Sequence, residues 1–178
     1  VRVDVLVEPN RLLLERLDRG ELDLVLAMNQ GARADAEQLA TLAMTWIGPA
    51  GTREVLQSRS MLDLALYQPP CFFRQAGTSA LDRAGIAWRP AFVTASLHSL
   101  WAGVAAGLGI TVRTGADLPP SLMRLDGRHG LPPLPGVDLC LHTAAGPMSA
   151  ALTHLRQAVR EQARTHLGQT GKSARGAS

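Results

Sequence analysis

Catalysis needs particular side chains at particular spacings, and this chain offers few of either. Five histidines, His98, His129, His142, His154 and His166, are scattered along it. They form no H-E-x-x-H pair and no metal-ligand spacing. No G-x-S-x-G turn presents a serine nucleophile. Cys71 precedes two phenylalanines and Cys140 falls in an apolar run, settings that suit packed thiols better than reactive ones. Two cysteines cannot by themselves build a disulfide framework or a four-ligand zinc site. The segment Gly168-Gln169-Thr170-Gly171-Lys172-Ser173 mimics a phosphate loop. A true one needs a glycine where His166 stands, with a strand before it and a helix after it. The glycines of Gly103-Val104-Ala105-Ala106-Gly107-Leu108-Gly109-Ile110 end a helix and open a strand, the reverse of a dinucleotide fingerprint. These residues predict a protein that is not an enzyme and carries no metal and no cofactor.

The elements that would position any other function are easier to read. The 178 residues carry a formal charge of +3, with 46% hydrophobic and 19% charged side chains. That is globular composition and excludes wholesale disorder. No apolar run approaches the ~18 residues of a membrane helix, and no signal-peptide pattern opens the chain. A soluble, cytoplasmic protein with no membrane partner is expected. Lys172 is the only lysine, and the scattered arginines read as a solvated surface, with no nucleic-acid stripe. Such arginine, alanine and glycine usage fits a GC-rich bacterial genome.

Residues 1–7 alternate like a strand already in progress, so the chain reads as the C-terminal part of something longer. Asn10 is placed to cap a helix through Arg19 that Gly20 stops, and 24–28 suits a buried parallel strand. Together these predict a βαβ unit. Residues 29–38 read as loop. Further strands are expected at 39–48, 61–67, 91–94, 109–112, 122–125 and 137–141. Helices are expected at 78–84 and 97–106, and from a Ser149 cap to about His166 with Leu152, Leu155 and Val159 facing in. Alternating strands and helices predict an α/β fold with a mainly parallel sheet. Breaks near Gly48 and Leu141 suggest two small lobes joined by two crossings.

Three segments together resemble one family. Leu14-Glu15-Arg16-Leu17-Asp18-Arg19-Gly20-Glu21-Leu22-Asp23-Leu24-Val25-Leu26 and Val104-Ala105-Ala106-Gly107-Leu108-Gly109-Ile110-Thr111 look like two signatures of LysR-type transcriptional regulators. Between them, Ala80-Leu81-Asp82-Arg83-Ala84-Gly85 resembles a helix of their second lobe. Pro70-Cys71-Phe72-Phe73-Arg74 and Gly109-Ile110-Thr111-Val112-Arg113-Thr114 are similar to a branch that controls motility and virulence genes. The resemblance covers residues 1–167 and implies the effector-binding half of such a regulator. The implied fold is that of type 2 periplasmic binding proteins, α/β with two small Rossmann-like lobes around a ligand cleft. Lobe I would comprise 1–43 and 142–167, lobe II 44–141, and 168–178 a disordered tail. Regulatory domains of the family open with a strand and helix ahead of the segment that starts at Val1. Their DNA contact runs through an N-terminal winged helix-turn-helix, and they assemble as homodimers or homotetramers.

The resemblance also implies where a small-molecule effector would bind. Asn10 matches a first-lobe contact at a helix start, and the same residue suits a plain cap. Met28 ends the strand where some relatives carry an arginine for an acidic effector; methionine cannot pair a carboxylate. Phe72, Phe73 and Arg74 match a cleft-facing loop, with Arg74 able to hold an acid bidentately and Phe73 an apolar wall. The alternatives are core phenylalanines and a surface arginine. Thr94 and Ser96 match a strand end and the next helix start, where Ser96 also suits an N-cap. Arg113, one step past the 109–112 strand, either reaches the cleft or lies solvated. The mechanism implied is conformational, with a ligand shifting lobe arrangement. A periplasmic solute-binding protein of the same fold is the main competing reading, and an enzyme on this fold the next.

Overall fold

The computed structural model describes residues 2–29, 33–53, 61–116 and 118–173. In chain order the elements are α1 (Asn10–Asp18), β1 (Leu24–Asn29), β2 (Ala36–Pro49), β3 (Leu62–Tyr67), α2 (Phe72–Arg83) and β4 (Trp88–Thr94). They continue with α3 (Leu97–Ala105), β5 (Thr111–Thr114), β6 (Leu122–Leu125), β7 (Gly136–Thr143) and α4 (Ala150–Ser173). The chain divides into two compact units, one of Val1–Leu42 with Val137–Ser178 and one of Ala43–Gly136. Each is α/β in composition.

In the first unit, Leu13 and Leu17 stand four apart on α1 and pack on Val25 and Ala27 of β1. The helix closes as a Schellman turn: the Gly20 and Glu21 amides donate to the Leu17 and Arg16 carbonyls, each at 2.9 Å. Gly20 takes φ 72 there, which suits glycine. Strand β1 runs antiparallel to β7, from Leu24 opposite Thr143 to Asn29 opposite Asp138. The other flank of β7 carries the first half of β2. Ser149 accepts the Leu152 amide at 3.2 Å and caps α4. Leu152, Leu155 and Val159 are half-buried along that helix. Arg156 and Arg160, one turn apart on α4, both reach Glu37 on β2, at 2.9 and 2.7 Å.

Two expectations fail in this unit. The alternating segment at the start forms no strand; Val5 and Val7 stand 84% and 90% exposed. Alternation supplies propensity, but a ladder needs a partner, and no strand pairs with 2–9 among the described residues. The opening βαβ unit is therefore not formed, and the neighbour of β1 is antiparallel. Helix α4 also continues past Gly168, where a disordered tail was expected, to Ser173. Residues 174–178 of that expected tail lie outside the described residues, as do Val1 and 30–32 of the expected loop.

In the second unit the later half of β2 pairs antiparallel with β5 on one side and β6 on the other. Trp46 stands opposite both Val112 and Leu125. Strands β3 and β4 pair in parallel, joined through α2, with a register shift after Leu64. A further parallel bridge links Leu64 to Ile110. Among the described residues β1–β7, β2–β5 and β2–β6 pair antiparallel, so the mainly parallel sheet expected from element order is not found. Ile47, Ala65, Leu100, Val104 and Leu122 form the core, with Phe92 and Trp101 packed on it. Ser96 caps α3 by accepting the Ser99 amide at 3.3 Å.

Gly109 sets how closely β5 can approach β3. Its φ is +148, and a Cβ there would fall 2.7 Å from the Ala65 nitrogen and 2.8 Å from the Asp63 oxygen. These contacts are backbone and cannot rotate away. Gly109→Ala should destabilise the protein by at least the ~1–3 kcal/mol that a strained backbone costs. Urea unfolding monitored by fluorescence tests this; an unchanged midpoint would contradict the close-approach account.

Candidate functional site

The second unit contains a small pocket beneath the start of α2, built by Tyr67, Cys71, Phe73, Arg74, Thr111 and Arg113 among others. Local sequence explains the arrangement. Strand β3 ends at Tyr67, Pro69 and Pro70 interrupt the backbone donors, and extended Cys71 serves as the α2 N-cap residue. Phe73, Gly77, Ala80 and Leu81 are the buried stripe of α2, at i, i+4, i+7 and i+8. Phe72, Phe73 and Arg74 therefore occupy the first turn of a helix, where a loop was expected. The mid-helix Gly77 disguised that turn in the sequence. Gly77 is required, because a Cβ would meet Val112 Cγ2 at 2.8 Å and Trp46 at 3.4 Å.

Arg113 is the central charge. The structure places it inside β5, half-buried, in place of the position beyond a strand that the sequence suggested. Its guanidinium carbon sits 4.9 Å from the Tyr67 ring centroid and 4.8 Å from that of Phe73. Each contact is worth about 0.5–2 kcal/mol. Burial pulls the Arg113 pKa below its ordinary value, while the Cys71 thiol and Tyr67 hydroxyl oppose that shift. A guanidinium nonetheless stays protonated at neutral pH. Its Nε is buried without a hydrogen-bond partner among the described residues. Arg74 lines the same pocket and donates Nη1 to the Tyr67 carbonyl at 3.4 Å. The free volume is about 10 Å³, room for one water-sized group.

The remaining expected contacts fall in pairs. In the first unit, Asn10 is the first helical residue of α1; Pro9 holds the cap position and accepts the Leu12 amide at 2.9 Å. An asparagine inside the first turn is past the place from which a cap side chain reaches its amides, so the capping expectation fails. Asn10 instead donates Nδ2 to the Met28 carbonyl and ties α1 to the end of β1. Met28 thus takes part through its backbone. In the second unit, the Thr94 hydroxyl accepts the Ser96 amide at 3.1 Å, next to the α3 cap. Phe72 stacks tilted on Phe73 with centroids 4.1 Å apart.

Sequence reasoning missed Tyr67, Thr111 and the packing of Cys71 against Arg113. It also missed a charged cluster in the first unit. Arg33 binds Asp18 at 2.6 Å and Asp35 at 2.9 Å, and buried His142 lies with Nδ1 3.4 Å from Asp35. An open groove bordered by Leu17, Gly20 and Thr143 runs past this cluster. No local signal links Asp35 to His142; only the strand pairing of β7 brings them together. No group of three or more metal-ligating side chains occurs among the described residues.

With that geometry in place, the relatives become informative. The LysR substrate binding domain family matches residues 1–164. This chain belongs to that family. It is 32% identical over 139 residues to the HTH-type transcriptional regulator DgdR of Burkholderia cepacia, covering 78% of this chain and 47% of the relative. It is 30% identical over 133 residues to the HTH-type transcriptional regulator PecT of Dickeya dadantii (strain 3937), covering 75% and 42%. The chain spans less than half the length of these curated relatives. Its fold matches the apo-form regulatory domain of HypT from Salmonella typhimurium, with TM-score 0.73 and 14% identity. That match covers 89% of this chain and 80% of the other. The relatives are transcriptional regulators, so the transporter-protein reading falls away. The LysR-type domain is an effector-binding domain of type 2 periplasmic-binding-protein fold. No helix among its described residues is long and apolar enough to cross a membrane.

The acidic groups of this LysR-type domain set its pH response. Hydrogen bonds from Arg33 hold Asp35 down at about 2, and those from Arg19 and Arg16 hold Glu21 at about 2. Arg160, with Arg156, lowers Glu37 as well. Carboxylates depressed in the folded state bind protons first in the unfolded state, so their contribution is present above about pH 4. It is lost as pH falls toward 2. The urea midpoint should stay level from pH 7 to 5 and decline below about 4, with a shallower decline in Asp35→Asn. An equal acid slope in that variant would remove the Arg33–Asp35 account.

Proposed function

We propose that the chain senses a small molecule and passes the resulting change to a DNA-reading domain carried elsewhere in the same protein. The observation that carries this reading is the family match over residues 1–164, together with relatives that are HTH-type regulators more than twice as long as the 139 and 133 residues they align with this chain. The two compact units correspond in this reading to regulatory lobes I and II. The candidate contacts are Asn10 and Met28 in one unit and Phe72, Phe73, Arg74, Thr94, Ser96 and Arg113 in the other. Binding works through population shift, bounded by the ligand's differential affinity for the two states. The protein acts in the cytoplasm as a homodimer or homotetramer, touches DNA through its separate domain, and catalyses no reaction.

The test uses the protein purified from its native gene. A metabolite panel screened by thermal shift should yield compounds that stabilise it, by about 2.7 kcal/mol at a hundredfold excess over Kd. The same compounds should change its footprint on the promoter it occupies. A native product that binds no DNA would overturn the reading.

A further inference from the structure

Two cations reach the pocket of the second unit, and no carboxylate does among the described residues. Its polar lining is Tyr67, Cys71, Arg74, Thr78, Thr111 and Arg113. Other partly buried arginines have acidic partners: Arg16 holds Glu8, Arg33 holds Asp18, and Arg156 and Arg160 hold Glu37. Arg113 and Arg74 have no such partner among the described residues. Arg74 spends one N–H on a backbone carbonyl, and Arg113 keeps its buried Nε unbonded. The Tyr67 and Phe73 rings lie against the Arg113 guanidinium, so polar contact is left to the N–H groups along its edge. A buried N–H that lacks an acceptor is costly to the fold and ready for one supplied from outside.

We propose that this pocket is an anion subsite, in which Arg113 receives one oxygen of a carboxylate or a monatomic anion, with Arg74 as the second cation. Such an anion accepts charge-assisted hydrogen bonds from the guanidinium edge. The free volume of about 10 Å³ admits one such atom and leaves any larger body of the ligand outside. For what the anion does, this inference rests on the effector-domain reading above. It narrows the effector to an organic acid or a small inorganic anion.

The test is a nitrogen-15 NMR titration of the full 178-residue chain with sodium bromide, sodium acetate and sodium benzoate. Each titration is repeated at two fixed background concentrations of sodium sulfate, so that screening and competition by sulfate oxygens are separated from binding. The Arg113 Nε–H resonance should move saturably with at least one of the three. Arg113→Met should weaken that Kd at least tenfold, and Arg83→Gln, on the exposed end of α2, should leave it unchanged. Saturation by acetate and benzoate alone identifies the carboxylate of an organic effector; saturation by bromide identifies a free inorganic anion. If Arg113→Met does not fold, the wild-type resonance and the Kd of Arg74→Met decide. A resonance unmoved by all three probes, or an unchanged Kd in the folded Arg113→Met protein, overturns the proposal. An unmoved resonance in a native product whose footprint still responds to neutral metabolites would sink the anion class and leave the regulator reading standing. A native product without DNA binding, but with the saturable shift, would do the reverse.

Discussion

The second unit depends on how closely backbone can approach backbone at Gly109. The Ile110 main chain bonds beside it on both sides of Leu64: its amide donates to the Asp63 carbonyl at 3.1 Å and its carbonyl accepts the Ala65 amide at 2.9 Å. A side chain at Gly109 would sit inside that contact. Because β3 and the start of β5 are held at this distance, Arg113 three residues after Ile110 is carried to the end of β3, where Tyr67 waits. Gly77 supplies the matching constraint from the other side by letting α2 lie against Val112 and Trp46. With both glycines in place, Phe73 and Tyr67 meet the same guanidinium. The pocket is a consequence of close packing, and its small volume follows from the same cause.

Charge is handled in two ways, since the second unit also pairs Arg89 with Asp63 at 2.6 Å but leaves Arg113 in a different setting. In the first unit, arginines and carboxylates neutralise one another at short range: Arg33 between Asp18 and Asp35, Arg156 and Arg160 on Glu37. These groups are partly exposed, so each pair is worth little by itself, and their role is to hold elements in register. The Glu37 cluster fastens α4 to β2, which the short apolar stripe of that helix would hold less firmly. In the second unit Arg113 is stacked and has no acidic partner among the described residues. Aromatic contacts of about 0.5–2 kcal/mol each offset only part of a desolvation cost on the order of several kcal/mol. A half-buried leucine would suit stability better. That imbalance separates Arg113 from the structural arginines of the first unit.

Much of the fold was legible because its signals are local. Gly20, Gly85 and Gly107 end helices where the sequence places stops, and Ser96 and Ser149 cap the helices that follow them. The parallel β3–β4 pair follows from a strand, a helix and a strand in succession. The sheet pairing of the first unit was not legible. Strand β7 joins β1 from more than a hundred residues away, and antiparallel partners at that range leave no mark on either segment. The opening alternation misled for a related reason: period-two patterning reports which face would be buried in a ladder, and says nothing about whether a partner strand exists.

The candidate site shows the same division. Arg74 and Phe73 could be singled out, because the family resemblance matches them to a cleft-facing loop, yet the helix they begin was hidden by Gly77. A glycine inside a helix reads as a break until the side chain it must clear is known, and here that side chain is Val112 on another element. Arg113 could be noticed only as an arginine near a strand end. What makes it distinctive is that no acid lies beside it among the described residues while two rings lie against it, and both are properties of three dimensions. Composition pointed the opposite way, since evenly scattered arginines usually mean a solvated surface. A charged residue alternating into a strand between Val112 and Thr114 is the one local cue available. It marks a polar group forced toward an apolar interior, and that conflict between pattern and environment is where function tends to reside.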